Sequence, residues 1–185
     1  MPDLHSGGGF DNPTTHRLSS HIVSMHSPIE DKVAWARRMF REQGSALRND
    51  STVAALLAQL RAESLASRDA MEAAGVVAVC RRCDERGGGS CCGEGIADRY
   101  DGITLLINLL LGVDLPDRRQ RAGGCFFLGP KGCLLQARDV ICINFMCSEV
   151  TDQVDEQALA QLREVEGAEL VTLFVLHERI RQMLG

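Results

Sequence analysis

Cysteine is the residue type whose number and spacing in this sequence could support chemistry. The chain has eight cysteines, confined to residues 80–92 and 125–147. Thiolate sulfur binds zinc and iron, and four sulfurs complete the coordination of a structural zinc ion or an iron–sulfur cluster. We therefore expect some or all of them to be metal ligands: Cys80, Cys83, Cys91, Cys92, Cys125, Cys133, Cys142 and Cys147.

The spacing leaves the number of metal sites open. Two residues separate Cys80 from Cys83, which lets both sulfurs reach one metal from a tight turn. Cys91 and Cys92 are adjacent, so their side chains diverge, and they serve two sites or lie on opposite sides of one. Eight cysteines supply two four-thiolate sites, or one site with spare thiols. Spacing does not choose between zinc and an iron–sulfur cluster.

Disulfide bonds and plain core packing are the alternatives to metal binding. Disulfides belong to oxidising compartments, and the first residues, MPDLHSGGGF, lack the basic and apolar regions of a secretory signal. We therefore expect a cytoplasmic protein with reduced thiols. A buried free cysteine packs as a small hydrophobic residue. Cys142 and Cys147 are the best candidates for that role, because Ile141, Phe145 and Met146 are their neighbours in sequence.

Charge and composition limit the classes of partner and of fold. The formal net charge is −5, so neither nucleic acid nor a membrane is expected as a partner. The longest apolar stretch, residues 103–113, is shorter than the roughly 20 residues that span a bilayer. Hydrophobic residues make up 45% of the chain and aromatic residues 4%. A core built mainly from aliphatic residues favours helices.

Apolar periodicity predicts a mainly α-helical fold, a small helical domain with an irregular cysteine-rich metal-binding segment between helices. Val53, Leu56, Leu57 and Leu60 follow the i, i+3, i+4, i+7 pattern of one such helix. Glycine-rich residues 76–101 are expected to be loop-like, and no β-hairpin is expected. The predicted helices cover 29–48, 51–74, 103–111 and 155–184, with a short helical segment around 136–147.

We expect a single helical domain, residues 28–185, that contains the cysteine-cluster segment 80–147. The helices at 29–48 and 51–74 should form an antiparallel pair. Residues 1–27 are rich in glycine, serine and histidine and are expected to be a flexible N-terminal tail. The histidines of this tail are expected to be solvated rather than metal ligands: His5, His16, His21 and His26.

The order of the cysteines resembles that of the CxxCxxxCC family, whose members are described as zinc- or iron-chelating cysteine-cluster proteins. CRRC followed by CC is similar to the family's first block, and CFFLGPKGCLLQARDVICINFMC to its second. The resemblance covers residues 80–147 and implies that the cysteines chelate metal. The residues that match the second block in order are Cys125, Phe127, Leu128, Cys133, Arg138, Cys142, Phe145 and Cys147.

The chain also departs from the family pattern. Residues 84–90 lengthen the gap after Cys83, Asp139 stands where the family has proline, and Ile143 stands where it has arginine. A related cysteine cluster in the flagellin lysine N-methylase group implies that such a cluster can accompany an enzyme, which is an analogy at the level of the family.

These observations predict a metal-binding protein in which zinc or iron is mainly structural, with the metal ion as its partner and any protein partner unknown. No catalytic constellation is recognised, because the sequence has no G-x-G-x-x-G, P-loop or H-E-x-x-H motif. His177 is interpreted as a helix-boundary residue rather than a base. The alternatives are an iron–sulfur protein with an electron-transfer or methyl-transfer-associated role, and a metal storage or delivery protein with labile thiolates.

Overall fold

The computed structural model describes residues 23–86 and 91–185. Over these ranges the chain is mainly helical, which confirms that part of the expected fold class. The elements in chain order are α1 (Ile29–Asn49), α2 (Ser51–Ala73), α3 (Val76–Glu85), a 3-10 helix (Glu94–Arg99), α4 (Gly102–Leu110), β1 (Leu128–Gly129), β2 (Gly132–Cys133), α5 (Val140–Asn144), α6 (Ser148–Thr151) and α7 (Glu156–Leu184).

Aspartate side chains fix the first turns of four helices, one of which is α5, where the cap is Asp139. Asp50 accepts a hydrogen bond from the Val53 amide at the start of α2, 2.9 Å away. Asp101 does the same for α4, where the Thr104 amide is 2.7 Å away, and Asp155 caps α7. An N-cap carboxylate satisfies amides that have no partner within the helix. This explains why α2, α4 and α7 begin within a residue or two of the positions that the sequence predicts.

The long helices contact one another in two main pairs. The main contacts of α2 are with α7, and those of α1 are with α4. α1 and α2 also touch each other, as the predicted pair requires, but each has another helix as its principal partner. α4 is buried on nearly every side, with Leu105, Leu106 and Ile107 fully inaccessible to solvent. The apolar run that the sequence predicts as a short buried helix is therefore the centre of the core.

Glycine is required where α4 approaches α1 most closely. A Cβ atom on Gly102 would lie 2.5 Å from Cε3 and 2.8 Å from Cζ3 of the Trp35 ring. The Trp35 side chain is itself buried. Because carbon atoms make favourable contact only at about 3.5–4.0 Å, any side chain at residue 102 would push the two helices apart.

Two sequence predictions about local structure are wrong. The stretch that was expected to be loop-like begins with a helix, α3, because Val76 and Val79 bury one face of it against Val150, Val154 and Leu162. Tertiary burial thus outweighs the glycine-rich sequence that follows. A minimal antiparallel hairpin also forms between β1 and β2, although none was expected. The hairpin turn ends at a glycine with φ of 112°, a conformation that other residues rarely adopt.

The apolar residues form two clusters. The first, which we call the main core, joins α1, α2, α4, the hairpin and the end of α7. The second, which we call the small cluster, lies between α3, α6 and the start of α7. Five of the eight cysteines belong to or pack against these clusters: Cys125, Cys133 and Cys142 at the main core, and Cys80 and Cys147 at the small cluster.

The start of the described chain packs against the helices. Val23 contacts the main core, and the carbonyl of Met25 accepts a 2.6 Å hydrogen bond from the buried Lys32 ammonium group. Lys32 also donates to the Asp98 carbonyl, 2.8 Å away. Most of the predicted tail, together with His5, His16 and His21, lies outside the described residues. No helix in residues 23–86 and 91–185 is long and apolar enough to cross a membrane.

Candidate metal centre

All eight cysteines lie within the described ranges, and each is an unpaired thiol. Cys125 is buried, Cys91 and Cys92 are exposed, and the other five are half-buried. None is therefore committed to a disulfide, and their chemistry depends on which thiols the fold brings together.

One set of thiols gathers where α3 meets α6. Cys80 and Cys83 are three residues apart on α3, which places them on the same side of the helix, one turn apart. Cys147 is the N-cap residue of α6, and both Cys80 and Cys147 pack against the small cluster. The pKa of Cys80 is raised to about 11 by burial and, secondarily, by Cys91, Cys147 and Cys83. The name α3 group is used below for four cysteines: Cys80, Cys83, Cys91 and Cys147.

A second set gathers around the hairpin and the start of α5. The amide of Cys125 donates a 2.7 Å hydrogen bond to the carbonyl of Cys92, and a β-bridge between Gly93 and Gly124 continues this contact. Cys133 lies on β2 and Cys142 on α5, and both pack against the main core beside Cys125. The hairpin group consists of four cysteines: Cys92, Cys125, Cys133 and Cys142.

Electrostatics link the members of the hairpin group. The pKa of Cys142 is raised to about 11, chiefly by burial, and Cys133 and Cys125 contribute in the same direction. Burial also raises the pKa of Cys133 and of Cys125. A protonated thiol is a poor metal ligand. Metal binding to this group would therefore release protons, and its affinity should increase with pH.

Tyr100 connects the hairpin group to the 3-10 helix. Its hydroxyl donates to Sγ of Cys142 over 3.7 Å and accepts a 3.1 Å hydrogen bond from the Asp139 amide. The ring is fully buried and packs edge-on against Phe127, with the two ring centroids 5.1 Å apart. Sequence reasoning did not identify Tyr100, because it lies between the two cysteine windows and belongs to no motif.

Cys91 and Cys92 form the boundary between the two groups. Their thiols interact directly: a hydrogen bond from Cys92 lowers the pKa of Cys91 to about 6. The same interaction raises the pKa of Cys92. Cys92 also has Cys133 and Cys142 as electrostatic neighbours, whereas Cys91 is a neighbour of Cys80.

Several arginines of the cysteine segment make specific contacts rather than being free in solvent. Arg86 pairs with Glu149 and Arg121 with Asp84, each bond joining two segments that carry cysteines. Arg82 donates to the Gln153 side chain over 2.8 Å. These ion pairs are largely exposed, so each contributes little to stability. Their role is to connect α3 to α6 and to the connector before the hairpin.

A buried charged cluster lies behind the hairpin group. Arg138 is 6% exposed, and its guanidinium lies 3.7 Å from a carboxylate oxygen of the fully buried Glu169. Its other contacts are Ser67 Oγ at 3.4 Å and Met71 Sδ at 3.2 Å. Arg138 and Arg68 lower the pKa of Cys133 and so oppose the larger effect of burial. Positive charge beside Cys133 favours its thiolate form.

The cysteine neighbourhoods do not amount to a closed coordination sphere. No group of three or more cysteine, histidine, aspartate or glutamate side chains in the described ranges could hold a metal ion as it stands. In chemistry, unpaired cysteine sulfurs suit zinc or an iron–sulfur cluster. Metal binding by these residues therefore stays a prediction.

Comparisons with protein-family models, curated proteins and solved structures found no match to this chain. The resemblance to the cysteine-cluster family thus rests on the residues quoted above.

Proposed function

We propose that this chain is a metal-binding cysteine-cluster protein in which zinc or iron mainly has a structural role. The observation that carries the proposal is that all eight cysteines are unpaired thiols and that cysteines distant in sequence share apolar clusters, Cys80 with Cys147 and Cys125 with Cys133 and Cys142. A protein that used cysteine only as a small apolar residue would have no reason to place Cys91 and Cys92, both exposed, beside them.

The backbone around the exposed cysteines supports a structural role. Residues 91–95 and 117–123 are mostly exposed and contain neither α-helix nor strand. The Cys92–Cys125 hydrogen bond and the Gly93–Gly124 bridge connect their ends. Ordering a residue costs about 1–2 kcal/mol of conformational entropy, which burial here does little to offset. Thiolate–metal bonds would supply the missing stabilisation, because the free energy of binding a structural metal is free energy of folding.

Charge balance also supports thiolate ligation. Four thiolates on one divalent zinc ion leave a net local charge of about −2. The hairpin group has Arg68 and Arg138 beside Cys133, and Arg86 lies beside Cys83 in the α3 group. Cations at both groups would stabilise the charged, metal-bound form.

Metal analysis and an absorption spectrum of anaerobically purified protein test the proposal. We expect near-stoichiometric metal in the wild type, and less metal with a lower melting temperature in a Cys80→Ser, Cys83→Ser double variant. The matched control is Arg81→Ser with Glu85→Ser, two exposed positions of the same helix, which should leave both quantities unchanged. Wild-type protein without bound metal, or unchanged metal and melting in the cysteine variant, would contradict the proposal.

The same spectrum separates zinc from iron. Zinc has no visible absorption, because its d shell is full. Iron with acid-labile sulfide and a broad visible band would instead select the iron–sulfur alternative, and redox partners would become the next question.

A further inference from the structure

We propose that α7 pairs in antiparallel orientation with α7 of a second copy of this chain, through an exposed apolar surface that α7 shares with α5. This inference goes beyond the metal-binding function and does not depend on it. We call the surface the α5–α7 face, and it consists of six large apolar side chains: Val140, Ile141, Phe145, Val171, Phe174 and Val175.

α7 has two apolar stripes, and the fold of one chain buries only one of them. The stripe that faces the main core includes three residues: Leu173, Leu176 and Ile180. The other stripe consists of Val171, Phe174 and Val175, which are 65%, 67% and 45% exposed. Apolar spacing alone predicts that the middle of α7 is buried on two sides. Within residues 23–86 and 91–185, this second stripe is not covered.

The large exposed apolar residues are concentrated on one part of the described chain. All of them except Met25 and Leu65 lie on α7, on α5 or at the end of α5. The two helices touch, since Arg163 of α7 donates a 2.7 Å hydrogen bond to the Asn144 carbonyl of α5. Phe174 lies about three turns further along the same side of α7 as Arg163, so α5 borders the exposed stripe. Apolar residues grouped in this way mark an interaction surface, whereas single exposed ones are ordinary.

The spacing along the exposed side of α7 suits a second α7 as its partner. Residues 164, 167, 171, 174, 178 and 181 are separated by alternating gaps of three and four, which is the spacing of the seam between two paired helices. Val171 and Phe174 occupy the two central positions. Across a two-fold axis, if residue i meets residue j of the second copy, then j also meets i. Val171 of each copy therefore packs against Phe174 of the other.

The charges at the ends of this seam make the antiparallel orientation self-complementary. Glu164 precedes Val171 by seven residues, and Arg181 follows Phe174 by seven. The axis that places Val171 opposite Phe174 thus also places Glu164 opposite Arg181 of the second copy, whereas parallel helices would oppose like charges.

Arg181 can bind this additional carboxylate. It already bonds to Glu178 on its own helix, and those hydrogen bonds use Nε and Nη2. A guanidinium has five N–H donors on three nitrogens, and both Arg181 and Glu164 are exposed. The ends of the seam are therefore accessible to a second copy.

Sedimentation equilibrium of the reduced, full-length chain at increasing concentration tests the proposal. The wild type should change from monomer to dimer as its concentration rises to about 100 μM. Phe174→Asp should weaken the dimer at least about tenfold, because it places a charge at the centre of the interface. Leu65→Asp, at an exposed apolar residue of α2, is the matched control and should leave the affinity unchanged. Both variants keep every cysteine, so they separate this contact from association through thiols or metal.

Charge reversal tests the orientation. Glu164→Arg and Arg181→Glu, made in separate chains, each place like charges opposite each other at both ends of the antiparallel pair. Each should weaken its own dimer about tenfold. An equimolar mixture of the two variants should form a heterodimer with nearly the affinity of the wild type, because opposite charges then meet at both ends.

The contrary results are equally specific. Wild-type protein that stays monomeric at about 100 μM overturns the proposal and leaves the α5–α7 face to a partner of other chemistry. A Phe174→Asp dimer as tight as the wild-type dimer also overturns it, since the copies would then meet through another surface. Charge variants that associate as the wild type does, or whose mixture stays monomeric, overturn the antiparallel pairing. None of these results bears on metal binding, which the metal analysis tests separately.

Discussion

Asn108 is a residue whose side chain holds the cysteine segment against the helical core. It is fully buried on α4. Its amide nitrogen donates to the carbonyls of Thr104 and Ala137, each 2.9 Å away. Its oxygen accepts from the amides of Gln136 and Ala137, at 2.8 and 3.0 Å. All four hydrogen-bonding positions of the amide are thus satisfied, and they fix the backbone between Cys133 and Cys142.

We expect Asn108→Leu to lower the free energy of unfolding by about 2–4 kcal/mol, because the change leaves backbone amides buried without partners. Chemical denaturation of the wild type and the variant measures this loss. Asn49→Leu is the control, since Asn49 is exposed at the end of α1, and its effect should stay within about 0.5 kcal/mol. A loss of similar size in both variants would contradict the role assigned to Asn108.

At the residue scale, the sequence allowed the cysteines to be identified but not the buried residues around them. The cysteines could be selected because thiol chemistry depends on residue type and on clustering, both of which are visible in sequence. Tyr100, Arg138 and Glu169 could not be selected, because each is notable only for its burial and its partner, and those partners are distant in the chain. Arg138 appears in the family resemblance, but nothing in its sequence context indicates a buried ion pair.

At the scale of elements, stability depends on how the helices pack against one another. α4 lies tightly against α1 at Gly102, next to the Trp35 ring. Gly102→Ala should destabilise the protein by about 1–3 kcal/mol, since a methyl group would overlap the Trp35 ring. Gly167→Ala is the matched control: a Cβ atom there meets nothing within 4 Å. Because Gly167 lies inside α7, its replacement should instead stabilise the helix by about 0.5–1 kcal/mol. Thermal unfolding of both variants gives the sign of each effect, and a stabilised Gly102→Ala would contradict this packing.

A histidine joins α7 to the beginning of α4. Nε2 of His177 lies 2.8 Å from the Asp101 carboxylate, and its Nδ1 lies 3.5 Å from Glu178. The hydrogen bond to Asp101 raises the pKa of His177. Burial alone would raise the pKa of Asp101, but the hydrogen bonds from His177 and Thr104 outweigh it, and the net shift is downward.

These shifts predict a pH-dependent contribution to stability. The raised pKa of His177 gives stability that is complete below its unfolded pKa of about 6.5 and is lost as pH rises through the folded pKa. The lowered pKa of Asp101 gives stability above its unfolded pKa of about 3.9, which is lost as pH falls through the folded pKa. We therefore expect His177→Gln to destabilise the protein by about 1–2 kcal/mol near pH 6 and by less near pH 9.

Denaturation of wild type and variant at both pH values measures that difference, and contributions common to the two proteins, such as thiol titration, cancel. His26→Gln, at an exposed histidine, is the control substitution. An effect of His177→Gln that grows with pH would contradict the ion pair.

The sequence predicted the elements well where periodicity was strong. α1, α2, α4 and α7 have apolar residues at helical spacing, and α2, α4 and α7 also have capping aspartates, so their bounds agree with prediction to within a few residues. α3 was missed because its few turns precede a glycine-rich stretch, and its helicity depends on contact with α6 and α7. The hairpin was missed because each strand has two residues, too few for an alternating pattern.

At the scale of the whole molecule, the fold reorders the cysteines. In sequence, Cys91 and Cys92 share one window and Cys147 ends the other. In space, Cys147 joins Cys80 on the small cluster, while Cys92 joins Cys125 beside the main core. This rearrangement could not be predicted from spacing, because it depends on how α3, α6 and the hairpin pack. The family resemblance identified the same eight residues but carried no information about their division.

The native mass of anaerobically purified wild-type protein tests the central claim most directly, because it counts the metal ions on each intact chain. The account predicts a mass that exceeds the chain alone by bound zinc or iron, or by a cluster, with the thiol protons displaced. A mass equal to that of the chain with all eight thiols protonated would contradict the account.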